Sequence, residues 1–287
     1  MLGKLLKYDM RSVGRFWWIA MLTMVGMSFC AAGSLRVYRE ILVRPEPPDY
    51  YVFQMLAYVL FLLSVVAIGL CMIVVAILIF VRYFKHLFTD EGYLTFTLPV
   101  SRKQIFLSKM LNALIWICLS GIILAFCALL IYLISIPTRG EGLLALDIIE
   151  DCLKGIAREF EQRGFWMIVQ FVILNLISVA WIALSVSVVY FCITFGATVV
   201  KRAKVVVGIG TYYLLNVISN VVMSIFGTAS LLFLGVGLIN SLIEASSDAL
   251  NGAITLILLI IFAAVASLAS FFYCLTLNIL ERKLNLA

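Results

Sequence analysis

The chain is short of what soluble enzymes rely on. Charged residues make up 13% of its 287 residues, and there is one histidine, His86. A metal centre or an acid–base site built on histidine is thereby argued against. No G-x-x-x-x-G-K-[ST] segment occurs, so ATP is not held by that route. Gly208-x-Gly210 and Gly235-x-Gly237 are read as helix packing or helix breaks, not as nucleotide loops. No Asp, Glu, Lys, Arg or His lies deep in an apolar run. Proton- or sodium-coupled carriers usually place such groups at mid-membrane, so this absence argues against a self-powered carrier. Carbonyls of a broken helix remain an alternative way to hold sodium. Of the seven cysteines, Cys30, Cys71, Cys118, Cys127, Cys192 and Cys274 sit in apolar runs, where a free thiol behaves as a small hydrophobe. Cys152 stands alone outside them, so there is no intrachain disulfide framework, and pairing between two copies stays open.

What is abundant is hydrocarbon. Hydrophobic residues make up 64% of the chain, far above a soluble domain. Six stretches carry no Asp, Glu, Lys or Arg: 16–35, 50–81, 110–136, 164–200, 205–243 and 249–280. Each is at least as long as the roughly 20 residues that cross a bilayer as a helix. The expected fold is an all-α, polytopic membrane protein of six transmembrane helices, forming a single domain over 1–287. With both termini inside, fourteen of the 21 Lys and Arg residues fall in inner segments, as the positive-inside rule requires. The net charge of +6 is thus a topology signal and not a nucleic-acid signal. The expected location is the cell membrane, with cytoplasmic termini.

The flanks add detail. Residues 1–15 place Leu2, Leu5, Leu6, Met10, Val13 and Trp17 at helical spacing, with Lys4, Lys7, Arg11 and Arg15 elsewhere on the helix. This reads as an amphipathic elbow helix in the inner interface, or as the basic flank of the first span. Phe16, Trp17 and Trp18 suit the interfacial aromatic belt. Pro45, Pro47 and Pro48 make the first outer loop extended. Residues 137–165 read as an outer amphipathic helix. In the fifth run, Gly227, Gly235, Gly237 and Asn240 predict short re-entrant or outer-leaflet helices over 228–243 rather than a seventh span.

The connection 82–109 is far longer than two spans need. Asp90 is placed to cap a short helix from about Glu91. Pro99 stops that helix by about Thr97. Ser101-Arg102-Lys103-Gln104 is a capping box, with Val100 and Ile105 at the staple positions, so a new helix should begin at Arg102. Tyr93, Leu94, Phe96 and Leu98 either pack on the bundle or fill a groove in a cytosolic partner. Uncharged polar stripes occupy the fifth span (Tyr212, Asn216, Ser219, Asn220, with Met223) and the fourth (Asn175, Ser178, Ser185). They either glue helices together or line a translocation path.

An acidic pair followed by Gly-Tyr, then Leu-Pro-Val-Ser-Arg and a Lys entering the third span, are here Asp90, Glu91, Gly92, Tyr93, Leu98–Arg102 and Lys109. Together with the six-span plan, this pattern resembles the permease subunits of type-2 ATP-binding-cassette exporters. The resemblance implies a dimer with a second permease copy or paralogue, surrounded by membrane lipid. It implies a separate cytosolic ATPase, which holds ATP and Mg; no cofactor is expected on this chain, which is not itself an enzyme. Residues 82–109 become the cytoplasmic coupling region, with Asp90, Glu91, Tyr93, Leu94, Phe96 and Arg102 docking on the ATPase. The second and fifth spans would line the path, through Tyr58, Phe61, Tyr212, Asn216, Ser219, Asn220 and Met223. Compact members of this kind resemble exporters of amphipathic or antimicrobial peptides. Tyr50, Tyr51, Phe53, Tyr58 and Phe61 suit such a cargo and suit lipid contact equally. Lipids, drugs, glycans or sodium are the alternative cargoes. An autonomous channel or carrier, or a membrane scaffold or sensor, is the alternative of a different class.

Overall fold

The computed structural model describes residues 2–42, 50–89, 92, 100–135, 144–200, 203–221, 224 and 247–282. Among them, regular structure is entirely helical. The helices are α1 (Leu2–Leu42), α2 (Tyr50–Phe88), α3 (Arg102–Ile134), α4 (Leu144–Val199), α5 (Lys204–Val221) and α6 (Ser247–Arg282). Six helices among the described residues are long and apolar enough to cross a membrane. The protein is read as multi-pass on that basis.

The exposed surface has the same meaning. On α2, Phe53, Leu63, Val66, Leu70 and Ile77 are each more than half exposed, and their spacing sets them along one side of the helix. In water such a surface would be an aggregation site. In a bilayer it is the ordinary outer face of a span, because lipid tails are as apolar as leucine.

Two expected boundaries are absent. Residues 2–15 are helical but run into the first apolar stretch without interruption, so α1 is one 41-residue helix. Likewise, the polar stretch from Leu144 continues into the fourth apolar run as one 56-residue helix. The reason is local. Neither α1 nor α4 contains proline. An isolated glycine such as Gly164 costs only about 1 kcal/mol relative to alanine, too little to end a helix that packing sustains. On α4 the exposed Lys154–Glu150 pair, 2.7 Å apart at i,i+4 spacing, adds a few tenths of a kcal/mol. The residues expected to form re-entrant helices, 228–243, and the prolines 45, 47 and 48 lie outside the described residues.

The chain divides into two compact units, Met1–Arg82 with Leu111–Gln162, and Tyr83–Met110 with Arg163–Ala287. In the first unit the centre of packing is Trp17, 1% exposed. Its ring lies 4.7 Å from that of Trp116, and its Nε1–H donates to Ser120 Oγ at 2.8 Å. The Ser120 hydroxyl donates in turn to the Trp116 carbonyl at 2.7 Å. Trp17 therefore belongs to the core and not to the aromatic belt, whereas Phe16 and Trp18, each 59% exposed, face outward as expected. Asp9 and Val13, eight and four residues before Trp17, are buried on the same face of α1. Further along α1, the Arg39 guanidinium donates to both the carbonyl and the hydroxyl of Ser135 at 3.2 Å.

In the second unit, α4 and α5 form a tight pair. A Cβ on Gly196 would lie 2.6 Å from both the Gly208 nitrogen and the Lys204 carbonyl oxygen. A Cβ on Gly208 would lie 3.3 Å from the Cys192 carbonyl oxygen. Two backbones thus touch with no side chain between them, as small residues permit in membrane helices. The packing reading of Gly208 holds, while Gly210 has open space around it. Cysteines 30, 71, 118, 127, 192 and 274 are free thiols.

Candidate functional site

The joint between α2 and α3 is built from three local features. Helix α2 persists through the basic residues Arg82, Lys85 and His86 to Phe88. Just beyond it, the Gly92 amide donates to the Thr89 carbonyl at 2.8 Å. Gly92 lies against the end of α2: a Cβ there would meet the Leu87 carbonyl oxygen at 2.7 Å and its carbon at 2.9 Å. Only glycine fits. Finally, α3 begins at Arg102, where the capping signals placed it. The Ser101 carbonyl accepts from the amides of Gln104 at 2.9 Å and Ile105 at 3.2 Å, which makes Ser101 the residue flanking the first turn. Ile105, at the inner staple position, is 3% exposed.

The start of α3 is fastened to the end of α6. Arg102 Nη1 donates to the carbonyls of Leu280 at 2.8 Å and Glu281 at 3.2 Å. These belong to the last turn of α6, whose carbonyls have no partner within the helix. A cation there also offsets the negative end of the helix dipole. Lys103 Nζ lies 3.7 Å from a Glu281 carboxylate oxygen, a pair too exposed to contribute much. Arg102, expected at the docking surface, thus has an intrachain role in capping α6.

Beneath this joint lies an aromatic cluster drawn from α2, α3, α4 and α6. The rings of Tyr83 and Tyr190 stack at 3.7 Å and 6°. Phe106 sits 6.3 Å from Tyr83, 6.2 Å from Tyr190 and 4.9 Å from Tyr273. Phe272 lies edge-on to Phe191 at 5.5 Å. The two buried phenols are satisfied: Tyr83 and Thr194 share a hydrogen bond of 2.9 Å, and the Tyr190 hydroxyl donates to the Lys109 carbonyl at 3.4 Å. Aromatic pairs contribute about 0.5–1.5 kcal/mol each beyond their buried area, so the joint stands on a stiff base.

The other candidate residues divide. Asp90, Glu91, Tyr93, Leu94, Phe96 and Met223 lie outside the described residues. On α5, Asn216 Nδ2 donates to the Tyr212 carbonyl at 3.1 Å and Asn220 Nδ2 to the Asn216 carbonyl at 2.9 Å. Tyr212, Asn216, Ser219 and Asn220 are all exposed. On α4, Asn175 and Ser185 bond back to their own helix in the same way. Among the described residues, neither Asn216 nor Asn220 bonds to another helix. On α2, Tyr58 is 45% exposed, and its ring lies 5.5 Å from Tyr38 of α1; Phe61 is half-buried. Beside them runs an apolar groove of about 410 Å³ between α1 and α2, lined by Cys30, Gly33, Ser34, Val37, Phe53 and Leu60 among others.

Sequence reasoning missed Tyr190, Thr194, Tyr273 and Gly196, because each acts on a partner distant in the chain. Only Gly196 left a trace: it stands before the short α4–α5 turn much as Gly208 stands after it. Among the described residues no group of three His, Cys, Asp or Glu is placed to hold a metal ion. No family model matches the chain, and no curated protein or solved structure matches it.

Proposed function

We propose that this chain is the membrane-spanning subunit of an ATP-driven exporter of the type-2 ATP-binding-cassette kind. It works as a dimer and is moved by a separate cytosolic ATPase. The observation that carries this reading is the joint between α2 and α3. Two spanning helices need only a few residues to connect, yet here Gly92 is pressed against the end of α2, Ser101 caps α3, and Arg102 fastens α3 to α6. Helix ends held in this way can pass on a push, whereas slack ends would absorb it. Asp90, Glu91, Tyr93, Leu94 and Phe96 are the proposed contacts with the ATPase. Buried aromatics there would carry more of the affinity, and the acids would set register. The exposed amides of α5 support a lining role for Tyr212, Asn216, Ser219 and Asn220, since they face away from the described packing of their own chain. An amphipathic peptide is the proposed cargo, with cytoplasmic termini and the joint on the inner side of the cell membrane.

The test is co-purification with a P-loop ATPase encoded beside this chain, followed by ATP-dependent transport in proteoliposomes. Glu91→Arg with Tyr93→Ala should abolish complex formation while leaving the permease folded. Asn216→Leu and Asn220→Leu should reduce export more than they reduce dimer recovery. Transport by the purified chain without a nucleotide-hydrolysing partner would overturn the reading. So would impermeant thiol labelling of Ser101→Cys from outside the cell.

A further inference from the structure

Inside the first unit, Asn112 Oδ1 and Trp116 Nε1 are buried with no hydrogen-bond partner among the described residues. Both residues are more than nine-tenths buried, at 5% and 6% exposure. They lie one turn apart on α3, and side chains at i and i+4 are neighbours on a helix face. Their chemistry is complementary, since an amide oxygen only accepts and an indole N–H only donates. The surroundings offer neither a substitute. Ser120, the next polar residue along this face, is already engaged: its oxygen accepts from Trp17 and its hydroxyl hydrogen goes to the Trp116 carbonyl. Across the interface, Gly14 brings bare backbone against the Trp116 ring, with a Cβ position 3.4 Å from its Cζ2 and Cη2. Leaving a buried donor or acceptor unmade costs about 1–3 kcal/mol for each. Lipid tails supply no partner for either.

We infer that Asn112 and Trp116 form a binding site for a single internal water molecule. The water accepts from the Trp116 indole N–H and donates to Asn112 Oδ1, so both orphaned groups are satisfied by one ligand, as buried waters commonly do. The site lies beside the Trp17–Ser120 bond, in the contact between α1 and α3. It does not depend on the proposed transport role.

The experiment uses full-length protein labelled with ¹⁵N-indole tryptophan in lipid nanodiscs, with Trp116→Phe assigning the Trp116 signal. Nuclear Overhauser transfer from water to each indole proton is measured. The expected result is a water cross-peak at Trp116 with the sign of a slowly exchanging molecule. Asn112→Leu should remove that peak and leave the Trp17 signal, which reports the Ser120 hydroxyl, unchanged. Absence of a Trp116 cross-peak in the wild-type protein overturns the inference and needs no variant to fold. A peak that survives Asn112→Leu overturns the shared site. A wild-type Trp116 signal with no water cross-peak that shifts in Asn112→Leu would mean a direct Trp–Asn bond, and would overturn it too.

Discussion

Replacing Gly196 by alanine tests the α4–α5 contact most sharply. The added methyl carbon would sit 2.6 Å from two backbone atoms and must reach 3.4 Å for ordinary contact, a retreat of about 0.8 Å. Neither obstacle can rotate aside, because both are main chain at the start of α5. Overpacking of this kind costs about 1–3 kcal/mol. Alanine also gains about 1 kcal/mol over glycine in a helix, which offsets part of the loss. The expected net destabilisation is therefore about 0–2 kcal/mol. Two neighbours calibrate the argument. A Cβ on Gly208 needs only a small adjustment from 3.3 Å, so Gly208→Ala should be near neutral. Gly210 has nothing within 4 Å, so Gly210→Ala should be neutral or stabilising by up to about 1 kcal/mol. The assay is unfolding of the three variants in mixed micelles under increasing denaturing detergent. Equal midpoints for Gly196→Ala and Gly210→Ala would refute the backbone contact.

Other substitutions probe the remaining contacts. Gly92→Ala should push the turn off Leu87, costing about 1–3 kcal/mol locally and accelerating tryptic cleavage around the joint relative to the wild-type chain. Trp17→Phe removes the donor to Ser120 and some packing, and should lower stability by about 1–2 kcal/mol in the same detergent titration. Arg102→Ala should cost about 1 kcal/mol and speed hydrogen exchange in the last turn of α6, whereas Lys103→Ala should change either measure by less than about 0.5 kcal/mol equivalent.

The six spans were legible because charge is excluded from them, and hydrocarbon solvation tolerates no ambiguity on that point. The start of α3 was legible because Pro99 and the Ser101–Gln104 pair act within one turn of where they stand. Helix ends governed by weaker signals were not. Nothing in the sequence alone says that α1 and α4 ignore the change from polar to apolar composition, because continuity is the default once no breaker intervenes. Trp17 was misplaced for a different reason. A tryptophan beside two other aromatics near a span's start suits the interface, and only the match with Ser120, 103 residues away, draws it inward. The Tyr83–Tyr190 stack and the Arg102 cap are equally long-range. The polar stripe on α5 was visible as a stripe, but the turning back of each amide to its own helix was not.

That turning back has a chemical consequence for whatever meets α5. Each amide uses a hydrogen on its own backbone and keeps its oxygen for company outside. Asn216 and Asn220 therefore offer two acceptors about 6 Å apart along an apolar surface, one helical turn in register. A visitor bearing ammonium, amide or hydroxyl hydrogens at that interval is rewarded, and a bare hydrocarbon chain gains nothing from either.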